Sequence, residues 1–340
     1  MEELKEECGI VGIYTDDDSL DISGNLFYAL YGLQHRGQES CGMAIYNEGK
    51  IKYCKELGLV SETFNDEILS GLQGNIGLGH VRYASSQNNT WVNSQPIVVN
   101  CLYGMMAVAY NGSLVNSLEL GRELCQEGSI FISTCDAELV LQLVSRNMTQ
   151  GHVVEDAISL TMDKIKGAYA FAMILQDKLI GFRDPNGIRP LCIGRMANAW
   201  LLASESCTFS IIGAEFVRDV EPGEIIVIDK DGLHSYKKGK ADKTALCIFE
   251  FVYFARPDSY IDGSSVHAAR LEGGRLLARE APVDADLVIG APDSALSAAM
   301  GYSRESGIPY GHGLIRNRYV GRTFIQPTQE MRENAVRIKF

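Results

Sequence analysis

The stretch Glu6-Glu7-Cys8-Gly9-Ile10-Val11-Gly12 decides how this chain is read. A cysteine heads a Gly-rich apolar segment, with only seven mostly charged residues before it. If Cys8 became residue one, a single residue would hold both nucleophile and base. A free α-amino group has a pKa of roughly 7.7–8.0 and can take the thiol proton directly or through one water. A lone Cys-Gly pair reads better as a buried small hydrophobe at a strand start. The rest of the chain weighs between the two.

Residues 9–14 alternate Gly with branched apolar side chains, as in a buried strand, and residues 20–34 carry helical spacing through Leu20, Phe27, Leu30 and Leu33. Short β-type runs recur at 42–46, 51–54, 76–83 and 105–110. Helical patterns follow at 117–127, 134–146 and 154–165, with Ser133 or Thr134 expected as the cap of the second. Further β runs come at 168–175, 179–183, 201–204 and 224–228. Strands, then helices, then strands fit two sheets sandwiched between helix layers, not a doubly wound sheet. Lys237 to Lys243 reads as an exposed linker. Beyond it a helix at 266–280, an apolar strand at 286–290, a turn at 291–294 opening another helix, and a strand at 308–315 read as the start of a parallel-sheet domain.

The 340 residues are 46% hydrophobic, enough for about two domains with their own cores. A net charge of −12 argues against a nucleic-acid or membrane-surface partner. No apolar run reaches spanning length and the N-terminus is too acidic for a secretory leader, so a cytoplasmic location is expected. Nine scattered cysteines with no CxxC pair read as reduced thiols, most of them packing residues.

Four segments can join Cys8 in chemistry. Arg82 ends a β run, where its guanidinium is either a bidentate carboxylate clamp or part of a surface ion pair. Asn111-Gly112 is either an ordinary turn or a side-chain amide beside a backbone N–H, the two donors of an oxyanion hole. Asp136, at a helix start, either holds a substrate ammonium or complements the helix dipole. His35 reads as structural. Together these residues describe a site for a zwitterionic amino acid with a reactive amide, and glutamine fits.

The order Cys8-Gly9-Ile10-Val11-Gly12, Leu33 to Glu39 (LQHRGQE), Gly79 to Tyr83 (GHVRY), Asn111-Gly112 and Asp136-x-Glu138 resembles the N-terminal-nucleophile glutamine amidotransferases. Within them, Asp184 to Leu191 (DPNGIRPL), Phe254 to Ser259 (FARPDS) and Asn317 to Ile325 (NRYVGRTFI) resemble the amidophosphoribosyltransferase family over essentially the whole chain. The resemblance implies an α+β N-terminal-nucleophile sandwich (α-β-β-α) followed by the first part of an α/β phosphoribosyltransferase-type parallel-sheet domain. It implies a propeptide at 1–7, a glutaminase domain at 8–235 and an incomplete second domain at 244–340. Cys8 would be the nucleophile, Asn111 and Gly112 the oxyanion hole, and Arg82, Ser85 and Asp136 the grip on glutamine. Arg316, Arg318 and Arg322 would lie in the loop over phosphoribosyl pyrophosphate, and Ser294 at the magnesium–diphosphate end of that site. Cys247 matches a [4Fe–4S] ligand of the iron–sulfur, Bacillus-like type; a buried thiol is the other reading. The implied cofactors are Mg²⁺ and, in a complete protein, the cluster; the implied partners are the two small-molecule substrates and a second copy of the chain in a homo-oligomer. Ammonia would pass internally between the two sites.

Three departures from the family pattern stand out. Ser85 and Ser86 replace the usual Thr and Gly, Tyr110 replaces a frequent His, and Cys135 and Ala137 flank Asp136 in place of Ser and Thr. The acidic phosphoribosyl-pyrophosphate motif and the other cluster cysteines would fall beyond Phe340. The rivals are another amidotransferase, such as glucosamine-6-phosphate synthase, and a fragment with only uncoupled glutaminase or binding activity.

Overall fold

A computed structural model of the chain describes residues 8–83, 89–239, 241–317, 319 and 329–340, with the backbone alone at 331, 332 and 335. The expected propeptide, Ser85, Arg318 and Arg322 lie outside the described residues. The chain divides into two compact units: Met1–Cys247 with Ile261–Gly263, and Ile248–Tyr260 with Ser264–Phe340.

Among the described residues the first unit holds thirteen strands in two antiparallel sheets. They are β1 (Gly9–Thr15), β2 (Ser40–Asn47), β3 (Lys50–Leu57), β4 (Ile76–Arg82), β5 (Ile97–Cys101), β6 (Gly104–Leu114) and β7 (Gly167–Leu175), then β8 (Lys178–Arg183), β9 (Cys192–Met196), β10 (Ala199–Ala203), β11 (Glu215–Asp219), β12 (Glu224–Asp229) and β13 (Gly232–Lys237). One sheet runs β11-β9-β10-β1-β4-β2-β3 and the other β13-β12-β8-β7-β6-β5. Tight hairpins set the registers. Between β2 and β3, Glu48 and Gly49 both take positive φ (46° and 82°), the requirement of a two-residue type I′ turn.

Alternation places Ile10, Ala44 and Leu78 of one sheet against Ala109, Ala170, Ile174 and Ile226 of the other in a fully dry layer. The opposite face of the first sheet is covered by α1 (Ile22–Gly32) through Leu26 and Leu30, with the short helices α2 (Val60–Thr63) and α3 (Asp66–Gly71) beside it. The opposite face of the second sheet is covered by α4 (Ser117–Gln126), α5 (Asp136–Thr149) and α6 (Val154–Lys164). The short helix α7 (Cys207–Ile211) follows β10. The result is the four-layer α-β-β-α sandwich that the strand–helix–strand order implied.

Two details differ from the sequence reading. The cap of α5 is Cys135, whose side chain does not cap the helix, not Ser133 or Thr134. The Glu138 carboxylate folds back instead, accepting from the backbone N–H groups of Ile132 (2.9 Å) and Ser133 (2.8 Å) and from the Ser133 hydroxyl (2.6 Å). That brace starts the helix at Asp136. The segment read as an exposed linker is tied down in places, with Ala241 N donating to Pro185 O and Lys238 Nζ to Ser159 Oγ, both at 2.8 Å.

In the second unit, α8 (Val266–Glu280) packs on α9 (Leu296–Ser306), and α10 (Gln329–Lys339) closes the chain. The two packed helices touch backbone to backbone: a Cβ on Gly274 would lie 1.9 Å from Ala298 O, and one on Gly301 1.9 Å from Leu271 O. The strand–helix–strand order is present, but the expected strands at 286–290 and 308–315 meet only in one parallel bridge, Val288 with Tyr310. Pro309 has no N–H to give, and Gly311 and Gly313 are poor strand formers, so the ladder stops where it starts.

Candidate active site

β1 begins at Gly9, paired on one side with β4 and on the other with β10. That pairing fixes Cys8 one residue before the sheet, fully buried, beside the end of β4 where Arg82 and Tyr83 emerge. The backbone nitrogen of Cys8 donates to Asn111 Oδ1 at 3.1 Å, across 103 residues of sequence. Its Sγ faces the Tyr83 carbonyl at 3.9 Å, a long, weak contact. Burial pushes Cys41 up to about 11, against a hydrogen bond with Thr63 that works the other way, and pushes Cys192 well above the usual range, so both are packing groups.

Asn111 and Gly112 lie inside β6, not in a turn. The strand runs past the end expected at Tyr110 because β7 pairs with it as far as Leu114–Gly167. Gly112 has φ +148°, and a Cβ there would sit 2.0 Å from Ala168 O, so no other residue fits. With Oδ1 of Asn111 turned to Cys8, its buried Nδ2 is left with no hydrogen-bond partner among the described residues. An orphaned buried donor costs free energy unless something fills it. Here it belongs to the same amide that binds the Cys8 backbone nitrogen.

Arg82 is the last residue of β4 and only 2% exposed, not the surface ion-pair residue that was one of its readings. Asp136 opens α5, and its Oδ2 accepts from Leu114 N (3.0 Å) and from the Tyr110 hydroxyl (3.1 Å). Both donors come from β6, so strand and helix are pinned at the carboxylate. His80 of β4 faces the Tyr110 carbonyl through Nε2 at 3.1 Å. Full burial, with Arg82 nearby, drives its imidazole down to about 3 despite that bond, so it is neutral at working pH. Cys8, Arg82, Asn111, Gly112 and Asp136, far apart in sequence, are thus gathered at one end of the sandwich.

The sequence reading missed the group behind Cys8. Arg36 is fully buried; its Nε donates to Cys8 O at 2.9 Å and its Nη1 to Glu205 Oε1 at 2.5 Å. The same Glu205 oxygen accepts from His35 Nε2 at 2.7 Å. Burial alone would raise the Glu205 carboxyl, but the charges and hydrogen bonds of His35 and Arg36 outweigh it and hold it well below the usual carboxylate range. Arg36 and Glu205 are therefore a buried ion pair, and the partly exposed His35 ring shares the same carboxylate oxygen. The available signal was Glu205 two residues after the apolar run of β10, where a lone acid has to find a cation.

Ser294 and Arg316 belong to the second unit. Ser294 lies in the turn just before α9, and Arg316 pairs with Asp293 beside it. Cys247, at the end of the first unit, is half-buried and donates its backbone N–H to Ile188 O at 3.1 Å. Among the described residues no three His, Cys, Asp or Glu side chains gather as metal ligands. One thiol cannot supply the four thiolates of a [4Fe–4S] cluster, so the described donor set does not fit that group. No helix among these residues is long and apolar enough to cross a membrane.

Residues 80–210 match the family model described as a glutamine amidotransferase domain. The chain is 46% identical over 337 residues to an amidophosphoribosyltransferase of Methanothermobacter thermautotrophicus, covering 99% of this chain and 71% of that one. It is 44% identical to the amidophosphoribosyltransferase of Bacillus subtilis, covering 99% and 70%. A solved structure described as the allosteric regulatory enzyme of purine biosynthesis superposes with TM-score 0.89 at 43% identity, covering 98% of this chain and 70% of that one. The B. subtilis glutamine phosphoribosylpyrophosphate amidotransferase complexed with ADP and GMP superposes at 0.88, also at 43% identity, covering 98% and 71%. With identity at this level spread over both units, and a buried cysteine placed against an unfilled amide donor, the chain belongs to the amidophosphoribosyltransferase family.

Proposed function

We propose that the chain transfers the amide nitrogen of glutamine to 5-phosphoribosyl 1-diphosphate, giving 5-phosphoribosylamine, glutamate and diphosphate with the consumption of one water, the entry step of purine synthesis. The observation that carries the reading is the Cys8–Asn111 pair, a backbone nitrogen held by one end of an amide whose other end is unfilled.

Cleavage of the Glu7–Cys8 bond would turn the Cys8 nitrogen into an amine. Donating one hydrogen to Asn111 Oδ1 would leave its lone pair to take the thiol proton. Sγ would then attack the glutamine carboxamide, and the oxyanion would be met by Asn111 Nδ2 and the Gly112 N–H. The amine would return the proton to the departing ammonia, and water would hydrolyse the thioester. Arg82 suits the substrate carboxylate and Asp136 its ammonium, with Ser85 as a further glutamine contact. Arg36 would hold the Cys8 carbonyl and so the attitude of the thiol.

In the second unit, Arg316, Arg318 and Arg322 suit the anionic phosphoribosyl pyrophosphate, with Ser294 at its Mg²⁺–diphosphate end. Cys247 would offer one thiolate to an iron–sulfur cluster whose other ligands are not among the described residues. On the resemblance we also propose domains at 8–235 and 244–340, a homo-oligomer and a cytoplasmic location.

The test is intact-mass analysis of active protein together with glutamate release by Cys8→Ala. The reading expects a chain beginning at Cys8 and no release by the variant. Active protein that retains residues 1–7, or a variant that still hydrolyses glutamine, overturns it. Iron, sulfide and Mg²⁺ analysis of the purified protein tests the metal assignments.

A further inference from the structure

Tyr110 is built as a donor. Its backbone is clamped on both sides, the N–H donating to Gln95 Oε1 at 2.8 Å and the carbonyl meeting His80 at 3.1 Å. Its ring is 3% exposed and lies parallel to Phe171 at 4.8 Å, and Phe171 stacks in turn on Phe182 at 4.8 Å. With backbone and ring both fixed, the phenol oxygen has little freedom, and it lies 3.1 Å from Asp136 Oδ2. Packing alone would be served by Phe, since the stack uses only the ring face. The hydroxyl adds a buried polar atom that serves a carboxylate at the glutamine end of the sandwich.

Two bonds to Asp136 fall on one oxygen, from the Leu114 N–H and from this hydroxyl. Two donors on Oδ2 set the plane of the carboxylate, and only one of them is a side chain. We propose that Tyr110 is a positioning residue for glutamine: its hydroxyl orients the Asp136 carboxylate toward the substrate ammonium, tuning affinity for the α-amino group without touching the reacting atoms. This rests on the reading of Asp136 as the ammonium partner.

Tyr110→Phe keeps the stack and removes the one hydroxyl. In the full chain, glutamate release should show a KM for glutamine raised about tenfold or more, with kcat within about twofold, as loss of one hydrogen bond to a charged group implies. The des-amino analogue of glutamine, which has no ammonium, should be hydrolysed equally well by both proteins. In an Asp136→Asn background Tyr110→Phe should add little further loss. A merely structural hydroxyl would lower the melting temperature with no change in KM, and that result overturns the proposal. So does an equal loss on glutamine and its des-amino analogue. If Asp136→Asn raises KM while Tyr110→Phe does not, only the role of Tyr110 fails. If Asp136→Asn leaves KM unchanged, the ammonium assignment falls and takes this proposal with it.

Discussion

Two ion pairs in this molecule use the same chemistry and differ in setting. Arg36 and Glu205 meet behind Cys8 with both side chains fully buried. Arg316 and Asp293 meet in the second unit with side chains 30% and 56% exposed. Water screens the second pair and competes for both ends, so it adds little rigidity. The first cannot be relaxed by water, so Arg36 has no comparable alternative to the position in which it holds the Cys8 carbonyl. The sandwich carries its candidate residues on its sheets and at the start of α5, the second unit on turns beside helices. Preorganisation should therefore be strong at Cys8 and weak at Ser294 and Arg316.

The largest effect that bears on this contrast is chemical. Cys8→Ala should lower glutamate release by at least about 10³-fold while the melting temperature stays close to wild type, and Cys8→Ser should be severely impaired, since an alkoxide forms far less readily than a thiolate. A rigid site that survived loss of its thiol would not be the site. Next, Asn111→Asp keeps an acceptor for the Cys8 nitrogen but replaces the unfilled donor with an oxygen. It should cost about 10²- to 10³-fold in kcat, the usual size for one oxyanion donor. Steady-state kinetics showing a change in KM alone would place Asn111 in binding instead.

Glu205→Gln sharpens the comparison directly. It leaves Arg36 buried without its counter-charge, an expected loss of about 3–5 kcal/mol in denaturant titration. Arg316→Ala should cost less than about 1 kcal/mol in the same measurement. Equal losses would erase the distinction between the two settings.

The pH dependence of stability follows with its sign. His80 is lowered from 6.5 to about 3, so below pH 6.5 the unfolded chain binds a proton that the folded chain refuses. Its contribution is full above about 6.5 and lost as pH falls toward 3. Glu205, also lowered from its ordinary value of 4.5, contributes stability present above about 4.5 and lost as pH falls below it. Melting curves should therefore decline in two stages on acidification. His80→Gln, which retains a donor for the Tyr110 carbonyl, should remove the earlier stage and leave the later one.

Much of this was legible in the amino-acid order, because sheets and amphipathic helices write their periods into the chain. Residues 9–14, 76–83 and 168–175 read as strands and are β1, β4 and β7, while 266–280 reads as a helix and is α8. Cys8, Arg82, Asn111 and Asp136 could be picked out because each places reactive or polar chemistry at the border of an apolar run or the start of a helix. Strands β5, β9, β11 and β13 escaped notice, since short edge or partly exposed strands carry little alternation and are defined by their neighbours. Register and burial were decided only in three dimensions. Pairing with β7 turned Asn111-Gly112 from a turn into strand, and the fold alone brought Glu205 to Arg36 across 169 residues. Sequence order records which chemistry is available; which polar atoms are left without water, and so forced onto one another, is a property of the packed sheets.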